Sequence, residues 1–197
     1  MKKQTPEKYA VDRKPKEYLK QGMVHCGVYT AKAILEAYGK GIHRDPRKYH
    51  VNFINKISGA MFRSQDLINV FQKYSLNLKA VCAKDCDDSR KLSILKKLLL
   101  KDTPIPVFVG NGYTYAHRMV SYSRVKALLV GHIISIWGYD DNENVFYLYD
   151  SAVSKEYYDK DIPIGNVKRT YQDFLRDWKG AFHRRWLVPY TYLEILD

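Results

Sequence analysis

The sequence predicts an α+β protein, with helices in its N-terminal half and antiparallel strands in most of its C-terminal half. From Cys26 onward, apolar residues recur at the spacing of an amphipathic helix. Later, β-branched and aromatic runs such as "TPIPVFVG" and "GHIISIWGYDD" are bracketed by turn residues. A run of helices followed by a run of strands is typical of the α+β class. We expect a helical lobe over about residues 21–103 and a sheet lobe over about 104–197.

The N-terminal half is expected to begin with a polar arm. Residues 1–20 carry seven Lys or Arg against three acids, together with two prolines. A helix should run from Cys26 to about Tyr38, where Gly39 provides a stop. The remaining elements are expected to be a helix in "DPRKYHVNFINKISG" capped by Asp45, a helix in "SQDLINVFQKYS" capped by Ser64, a strand in "LNLKAVCA" and a helix in "DDSRKLSILKKLLLKD".

The C-terminal half is predicted to contain a hairpin. The runs "GHIISIWGYDD" and "NVFYLYD" are joined by turn residues, so they should pair as antiparallel strands. A short helix in "TYQDFLRDWKG" and a final strand in "FHRRWLVPY" are expected to follow. The loop over residues 110–130 is either an element over a substrate cleft or a surface insertion.

Composition limits the classes of protein that fit. Three cysteines are too few for a disulfide framework, which favours a reducing compartment. Neither a signal peptide nor a membrane-spanning apolar run is found, so we expect a cytoplasmic protein, or one secreted without a classical signal. The net charge of +12 fits either a lysine-rich solvated surface, which is the more common case, or acidic partners. Since no nucleic-acid-binding motif accompanies it, nucleic acid is not expected.

Neither a metal nor a cofactor is expected. Cys82 and Cys86 have no second pair at metal-ligand spacing, and no glycine-rich phosphate-binding loop is present.

The position of Cys26 suits a nucleophile. A thiolate is stabilised at the start of a helix and by a neighbouring imidazolium. The oxyanion that forms at an attacked carbonyl needs hydrogen-bond donors, and the side-chain amide of Gln21 lies just upstream. Gly27 leaves space for a close backbone approach. On its own, however, a cysteine at this place is more often a buried apolar residue than a nucleophile.

His132 is the histidine best placed to act as a base. It opens a strongly apolar strand, and Asp150 closes the strand's predicted hairpin partner, so both side chains should lie at one end of the hairpin. A carboxylate there can hold the imidazole in one tautomer. The other histidines have less suitable surroundings: His25, His43, His50, His117 and His183.

These motifs resemble the papain-like cysteine peptidases, most closely stand-alone relatives of the bacteriocin (double-glycine) leader-processing peptidases. The matching segments are "Q…HCG", "PIPVFV", "GHIISIWGYDDNENVFYLYDSA" and "YQDFLRDW", from about Gln21 to Trp178. The resemblance implies a papain-like fold, with residues 21–197 forming one catalytic domain. It also implies that Cys26 is the nucleophile, His132 the general base and acid, Asp150 the orienting carboxylate and Gln21 the oxyanion-hole residue.

The chain departs from the family pattern at two places. The glutamine and cysteine are separated by five residues rather than the usual six, and Ser151 stands where proline usually follows the aspartate. The leading hypothesis is a peptidase acting on a peptide or protein. A glutamine deamidase or acyl transferase with the same site is the second. The third is an inactive papain-like binding module, which the altered glutamine spacing favours.

Overall fold

The structure is a computed structural model. It describes residues 5–22, 24–59, 61, 63–116, 119–180 and 189–196, apart from the side chains of residues 116, 119 and 128. Within these ranges the α-helices are α1 (Cys26–Ala37), α2 (Phe53–Ser58), α3 (Ser64–Lys73), α4 (Asp88–Leu99), α5 (Arg124–Leu129) and α6 (Tyr171–Trp178). The strands are β1 (Lys8–Ala10), β2 (Asn77–Cys82), β3 (Ile105–Gly110), β4 (Tyr113–Ala116), β5 (Met119–Tyr122), β6 (Gly131–Asp140), β7 (Val145–Tyr149), β8 (Val167–Thr170) and β9 (Thr191–Leu196).

An antiparallel sheet forms the centre of the fold. Its strands lie in the order β2-β9-β3-β6-β7-β8, and β1 also pairs with β6. The long strand β6 connects three neighbours, because it pairs with β3 over 131–136, with β7 over 135–140 and with β1 over 138–140. Every residue of β3 and β7 is buried, which explains why these strands read as continuous apolar runs.

A close backbone approach shapes the far end of β6. The pairing of β6 with β7 shifts register between Ile136 and Gly138. A Cβ atom at Gly138 would lie 2.5 Å from the carbonyl oxygen of Tyr9, so a glycine is needed for β1 to join the sheet. Three residues of the predicted N-terminal arm therefore belong to the central sheet.

Helix α1 packs directly against β6. Its residues Val28, Ala31, Ile34 and Leu35 are completely buried. The hydroxyl of Thr30, also buried, donates a hydrogen bond to the carbonyl oxygen of Ile133 at 3.1 Å. This bond ties the helix that starts at Cys26 to the strand that starts beside His132.

The α+β fold class is confirmed, and most predicted elements are found. The helix starting at Cys26, the β6–β7 hairpin, β2, α4, β3 and α6 all lie where the sequence patterns indicate. The predicted loop after β3 contains the β4–β5 hairpin and α5. The lobe boundary near residue 103 stays a prediction; β2, which precedes it in the chain, pairs with β9 in the same sheet.

Two helix predictions were wrong in detail. The single helix expected over "DPRKYHVNFINKISG" is instead a 3-10 helix (Pro46–Tyr49) capped by Asp45 and a separate α2 capped by the side chain of Asn52. His50 and Asn52 adopt extended backbone between the two pieces, which interrupts the helix. Ser64 is the first residue of α3 rather than its cap.

The last strand was predicted too early in the chain. It forms at Thr191–Leu196, where it pairs with β2 and β3. Most of the segment "FHRRWLVPY" lies outside the described residues, and its last two positions, 189 and 190, form a turn. Both segments are rich in aromatic and β-branched residues, so propensity alone did not separate them.

Replacing Thr30 by valine tests the tie between α1 and β6. Valine has nearly the same shape but cannot donate to the Ile133 carbonyl, so we expect the free energy of unfolding to fall by about 1–2 kcal/mol. Urea denaturation measures this change. An unchanged or higher stability, as the more apolar side chain alone would give, would show that the hydrogen bond contributes nothing.

Candidate active site

The structure brings Cys26, His132 and Asp150 together. His132 begins the apolar part of β6, and Asp150 directly follows the end of β7, which is the neighbouring strand. The Nε2 atom of His132 lies 2.7 Å from Oδ1 of Asp150. The thiol of Cys26, at the first residue of α1, is within hydrogen-bonding reach of the same imidazole. Because Nε2 faces Asp150, Nδ1 is the ring nitrogen left for the thiol.

Burial and charge act in opposite directions on His132. Burial by itself lowers the pKa of the imidazole. The Asp150 carboxylate raises the pKa more strongly than burial lowers it, and Cys26 raises it further, so the pKa is about 10. The pKa of Asp150 is held well below its usual range because His132 and Arg169 outweigh the cost of burying the carboxylate. At neutral pH the pair is therefore an imidazolium beside a carboxylate.

The backbone of Asp150 is fixed as firmly as its side chain. The side chain of Asn166 accepts a hydrogen bond from the Asp150 N–H at 2.8 Å and donates one to the Asp150 carbonyl at 2.9 Å. The N–H of Ala152 donates to Oδ1 of Asp150 at 2.9 Å. All of these groups restrict the carboxylate to one position beside the imidazole.

Arg169 is a second cation on Asp150 that the sequence analysis missed. Its Nη2 atom contacts Oδ2 of Asp150, and its Nη1 atom lies 3.2 Å from Oδ2 of Asp177. The guanidinium also lies over the ring of Tyr113, at 4.3 Å from the centroid. The alternating burial of β8 places Arg169 on the same inner face as Val167, which the short sequence of the strand does not indicate.

Asp177 is the least stabilised charge of this cluster. Burial raises its pKa to about 6 against the opposing effect of Arg169. Its Oδ1 atom is buried without a hydrogen-bond partner among the described residues. Arg169 therefore contacts two carboxylates, of which Asp150 is the more strongly anionic.

Gln21 is buried beside Ser151 rather than exposed in a loop. Its N–H donates to the carbonyl oxygen of Ser151 at 2.7 Å. The hydroxyl of Ser151 donates to Oε1 of Gln21 at 2.6 Å. The glutamine is thus attached to the residue that directly follows Asp150, at the same end of the sheet.

The residue before the cysteine has an unusual backbone. His25 has a φ angle of 83°, in the left-handed region, and its Nδ1 atom lies 3.0 Å from Nε2 of His50. Burial is the main cause of a lowered pKa at both histidines. The pKa of His25 lies below its ordinary value and that of His50 falls to about 4, so this pair is neutral at neutral pH. The N–H of His25 donates to the carbonyl of Gly59 at 3.2 Å. These contacts fix the start of α1.

The other candidate residues do not join the site. The ring of His43 packs against Tyr49 and Tyr74. Cys82 is exposed on β2, and its sulfur lies 3.3 Å from the carbonyl oxygen of Pro189. His117 and His183 lie outside the described residues. In the described part of the chain, no group of three His, Cys, Asp or Glu side chains could hold a metal ion. None of the described helices is long and apolar enough to cross a membrane.

Fold and site together define a class of protein. A cysteine at the start of a buried helix, facing a histidine on the central antiparallel sheet, is the arrangement of the papain-like cysteine peptidases. A sequence model of the Peptidase_C39 like family matches residues 10–180, and the chain belongs to that family. No curated protein sequence matches the chain.

A solved structure supports the same fold. The chain is similar to a double glycine motif protease from an AMS/PCAT transporter, determined in complex with its leader peptide. The two share 14% sequence identity and a TM-score of 0.52, and the match covers 94% of this chain and 96% of the other. The family match confirms the predicted family resemblance, and this structure confirms the papain-like fold.

Loss of the Arg169 guanidinium should strongly destabilise the protein. Arg169→Met leaves the buried Asp150 carboxylate without one of its two cations, and breaking such a pair costs about 3–5 kcal/mol. Urea denaturation measures the free energy of unfolding. Arg176 is the matched control, since its ion pair with Asp173 is partly exposed and worth about 1 kcal/mol or less. Equal losses in Arg169→Met and Arg176→Met would contradict this assignment.

Proposed function

We propose that the protein is a cysteine-dependent peptidase in which Cys26 is the nucleophile and His132 the general acid and base. Asp150 orients the imidazole, and Gln21 donates to the oxyanion. The single observation that carries this proposal is the position of His132, whose ring lies 2.7 Å from the carboxylate of Asp150 and within hydrogen-bonding reach of the thiol of Cys26. The proposed nucleophile, base and orienting group are therefore neighbours in that order.

The reaction follows from this geometry in two halves. The Cys26 thiolate attacks the carbonyl carbon, a carbon–sulfur bond forms, and negative charge moves onto the carbonyl oxygen. The His132 imidazolium then gives its proton to the leaving nitrogen as the carbon–nitrogen bond breaks. In the second half, neutral His132 takes a proton from water as the water oxygen attacks the thioester carbon. The carbon–sulfur bond then breaks, which releases the acid and restores the Cys26 thiolate and the His132 imidazolium. Asp150 stabilises the imidazolium at each stage.

Substitution of Cys26 tests the nucleophile. Cys26→Ala should abolish labelling by a thiol-directed activity probe such as a peptidyl chloromethyl ketone, because the reacting sulfur is gone. Cys82→Ser is the control and should be labelled like the parent, since Cys82 lies on β2 away from any histidine contact described above. Labelled protein is quantified by intact mass spectrometry. Equal labelling of Cys26→Ala and the parent would refute the assignment.

The same acylation could serve peptide cleavage, glutamine deamidation or acyl transfer, since these differ in the leaving group or in the acceptor. Incubation with a proteome-derived peptide library distinguishes them by mass spectrometry. New peptide termini that depend on Cys26 support the peptidase. Conversion of glutamine to glutamate without new termini would instead assign a deamidase, and isopeptide products would assign an acyl transferase.

An exposed apolar surface beside Cys26 indicates what kind of peptide binds. Phe53, Ile54 and Ile57 on α2 are 75%, 70% and 70% exposed. Gly59 caps the C-terminal end of this helix, and its carbonyl oxygen accepts the hydrogen bond from the N–H of His25, next to the proposed nucleophile. Large exposed apolar side chains commonly mark binding sites. The similar solved protease is in complex with a leader peptide. We infer that the substrate is a peptide whose apolar side chains contact α2, and the net charge of +12 favours an acidic one.

A polar residue on α2 should weaken substrate binding without changing the chemistry. For a peptide that the library identifies, Ile57→Ser should raise KM about tenfold or more and leave kcat nearly unchanged, because it removes an apolar contact without adding a charge. Ile42→Ser is the matched control, as Ile42 has the same exposure but lies outside α2. The same rise in KM for both variants, or none for Ile57→Ser, would argue against this surface.

A further inference from the structure

Ser151 makes two separate contacts with Gln21, and these belong to different parts of each residue. The Ser151 carbonyl accepts from the Gln21 N–H at 2.7 Å, and the Ser151 hydroxyl donates to Gln21 Oε1 at 2.6 Å. Ser151 is completely buried and Gln21 is 7% exposed. A backbone bond and a side-chain bond to one residue fix both the place of the glutamine and the rotation of its amide.

The polarity of the side-chain bond matters for chemistry. A glutamine amide has one accepting oxygen and one donating nitrogen, and only the nitrogen can stabilise an oxyanion. When the Ser151 hydroxyl occupies Oε1, the Nε2 hydrogens remain for the reacting carbonyl oxygen. Donation into Oε1 also polarises the amide and makes Nε2 a stronger donor.

The same residue connects Gln21 with the acid–base pair. Ser151 directly follows Asp150, whose N–H and carbonyl are both bound by Asn166 and whose carboxylate binds His132. The anchor for Gln21 is therefore part of the segment that positions the imidazole.

We propose that Ser151 is a positioning residue that orients the Gln21 amide as an oxyanion donor and holds it in register with His132. This inference rests on the proposed function, since it explains how Gln21, the proposed oxyanion donor, is held in position. Ser151 does not touch the substrate; it acts through Gln21. Ser151 therefore affects the rate at which Cys26 attacks a carbonyl carbon, and it does not affect the reactivity of the thiolate itself.

Two reactions of Cys26 distinguish oxyanion stabilisation from the reactivity of the thiolate. Acylation by a p-nitrophenyl ester passes through a tetrahedral oxyanion: the carbon–sulfur bond forms and p-nitrophenolate leaves. Alkylation by iodoacetamide displaces iodide directly and forms no oxyanion. Both are followed on the intact protein, with the Cys26→Ala signal subtracted, so neither needs the natural substrate.

Ser151→Ala should slow acylation about tenfold or more, while alkylation stays within about twofold of the parent. Gln21→Ala should slow acylation by about 100-fold, the usual loss for one oxyanion donor. The double variant Gln21→Ala, Ser151→Ala should be no slower than Gln21→Ala alone, because Ser151 acts through the glutamine. Ser151→Thr keeps the hydroxyl and should restore most of the acylation rate. Ser93→Ala, on α4, is the control with both rates unchanged.

Several results would overturn the proposal. Unchanged acylation in Ser151→Ala, an equal fall in acylation and alkylation, or additive losses in the double variant would each do so. If Ser151→Ala does not fold, Ser151→Cys, with nearly the same volume and a weak donor, carries the same test once the signal of the double variant Cys26→Ala, Ser151→Cys is subtracted to remove the reaction of the added thiol. Failure of the proposed function looks different, because Cys26 of the parent protein would then react with neither reagent faster than Cys82 does.

Discussion

The buried carboxylate of Asp150 is the charge around which the rest of the site is arranged. Removing a carboxylate from water costs several kcal/mol unless cations and hydrogen-bond donors replace the solvent. His132 and the N–H of Ala152 contact one of its oxygens, and Arg169 contacts the other. These groups come from β6, from β8 and from the segment after β7. Because all of these groups must reach one carboxylate, the ends of these three segments are fixed relative to one another.

The position of Cys26 depends on a different constraint, the close packing of α1 on β6. A Cβ atom at Gly27 would lie 2.4 Å from Sδ of Met61 and 3.2 Å from Cδ1 of Ile133, so a side chain at the residue after Cys26 would force these neighbours to shift. The Thr30 hydroxyl bonds the Ile133 carbonyl one turn further along. Because Ile133 is next to His132 in the chain, the packing that buries the helix also sets the thiol beside the imidazole.

Those parts of the fold that local patterns control were predictable from the sequence. The periodicity after Cys26 and the turn between β6 and β7 indicated a helix and a hairpin, and the hairpin predicted that His132 and Asp150 would meet. Arg169 was missed because a single basic residue in a four-residue strand reads as solvent-exposed unless its burial is known. The pairing of β1 with β6 was missed because it joins segments about 130 residues apart and depends on the absence of a side chain at Gly138. Such contacts are set by tertiary packing, which local propensity does not contain.

The short spacing between Gln21 and Cys26 shows how far a motif's spacing can be interpreted. Counting residues constrains geometry when the intervening loop is the only connection between two groups. Here the backbone of Gln21 is bonded to Ser151, at the end of the β6–β7 hairpin, and Cys26 is held by the packing of α1. The chain between these residues therefore joins two points that the sheet and the helix have already fixed, and His25 within it has a left-handed backbone. A loop between two anchored ends can change its length without moving either end. The missing residue is thus weak support for an inactive binding module.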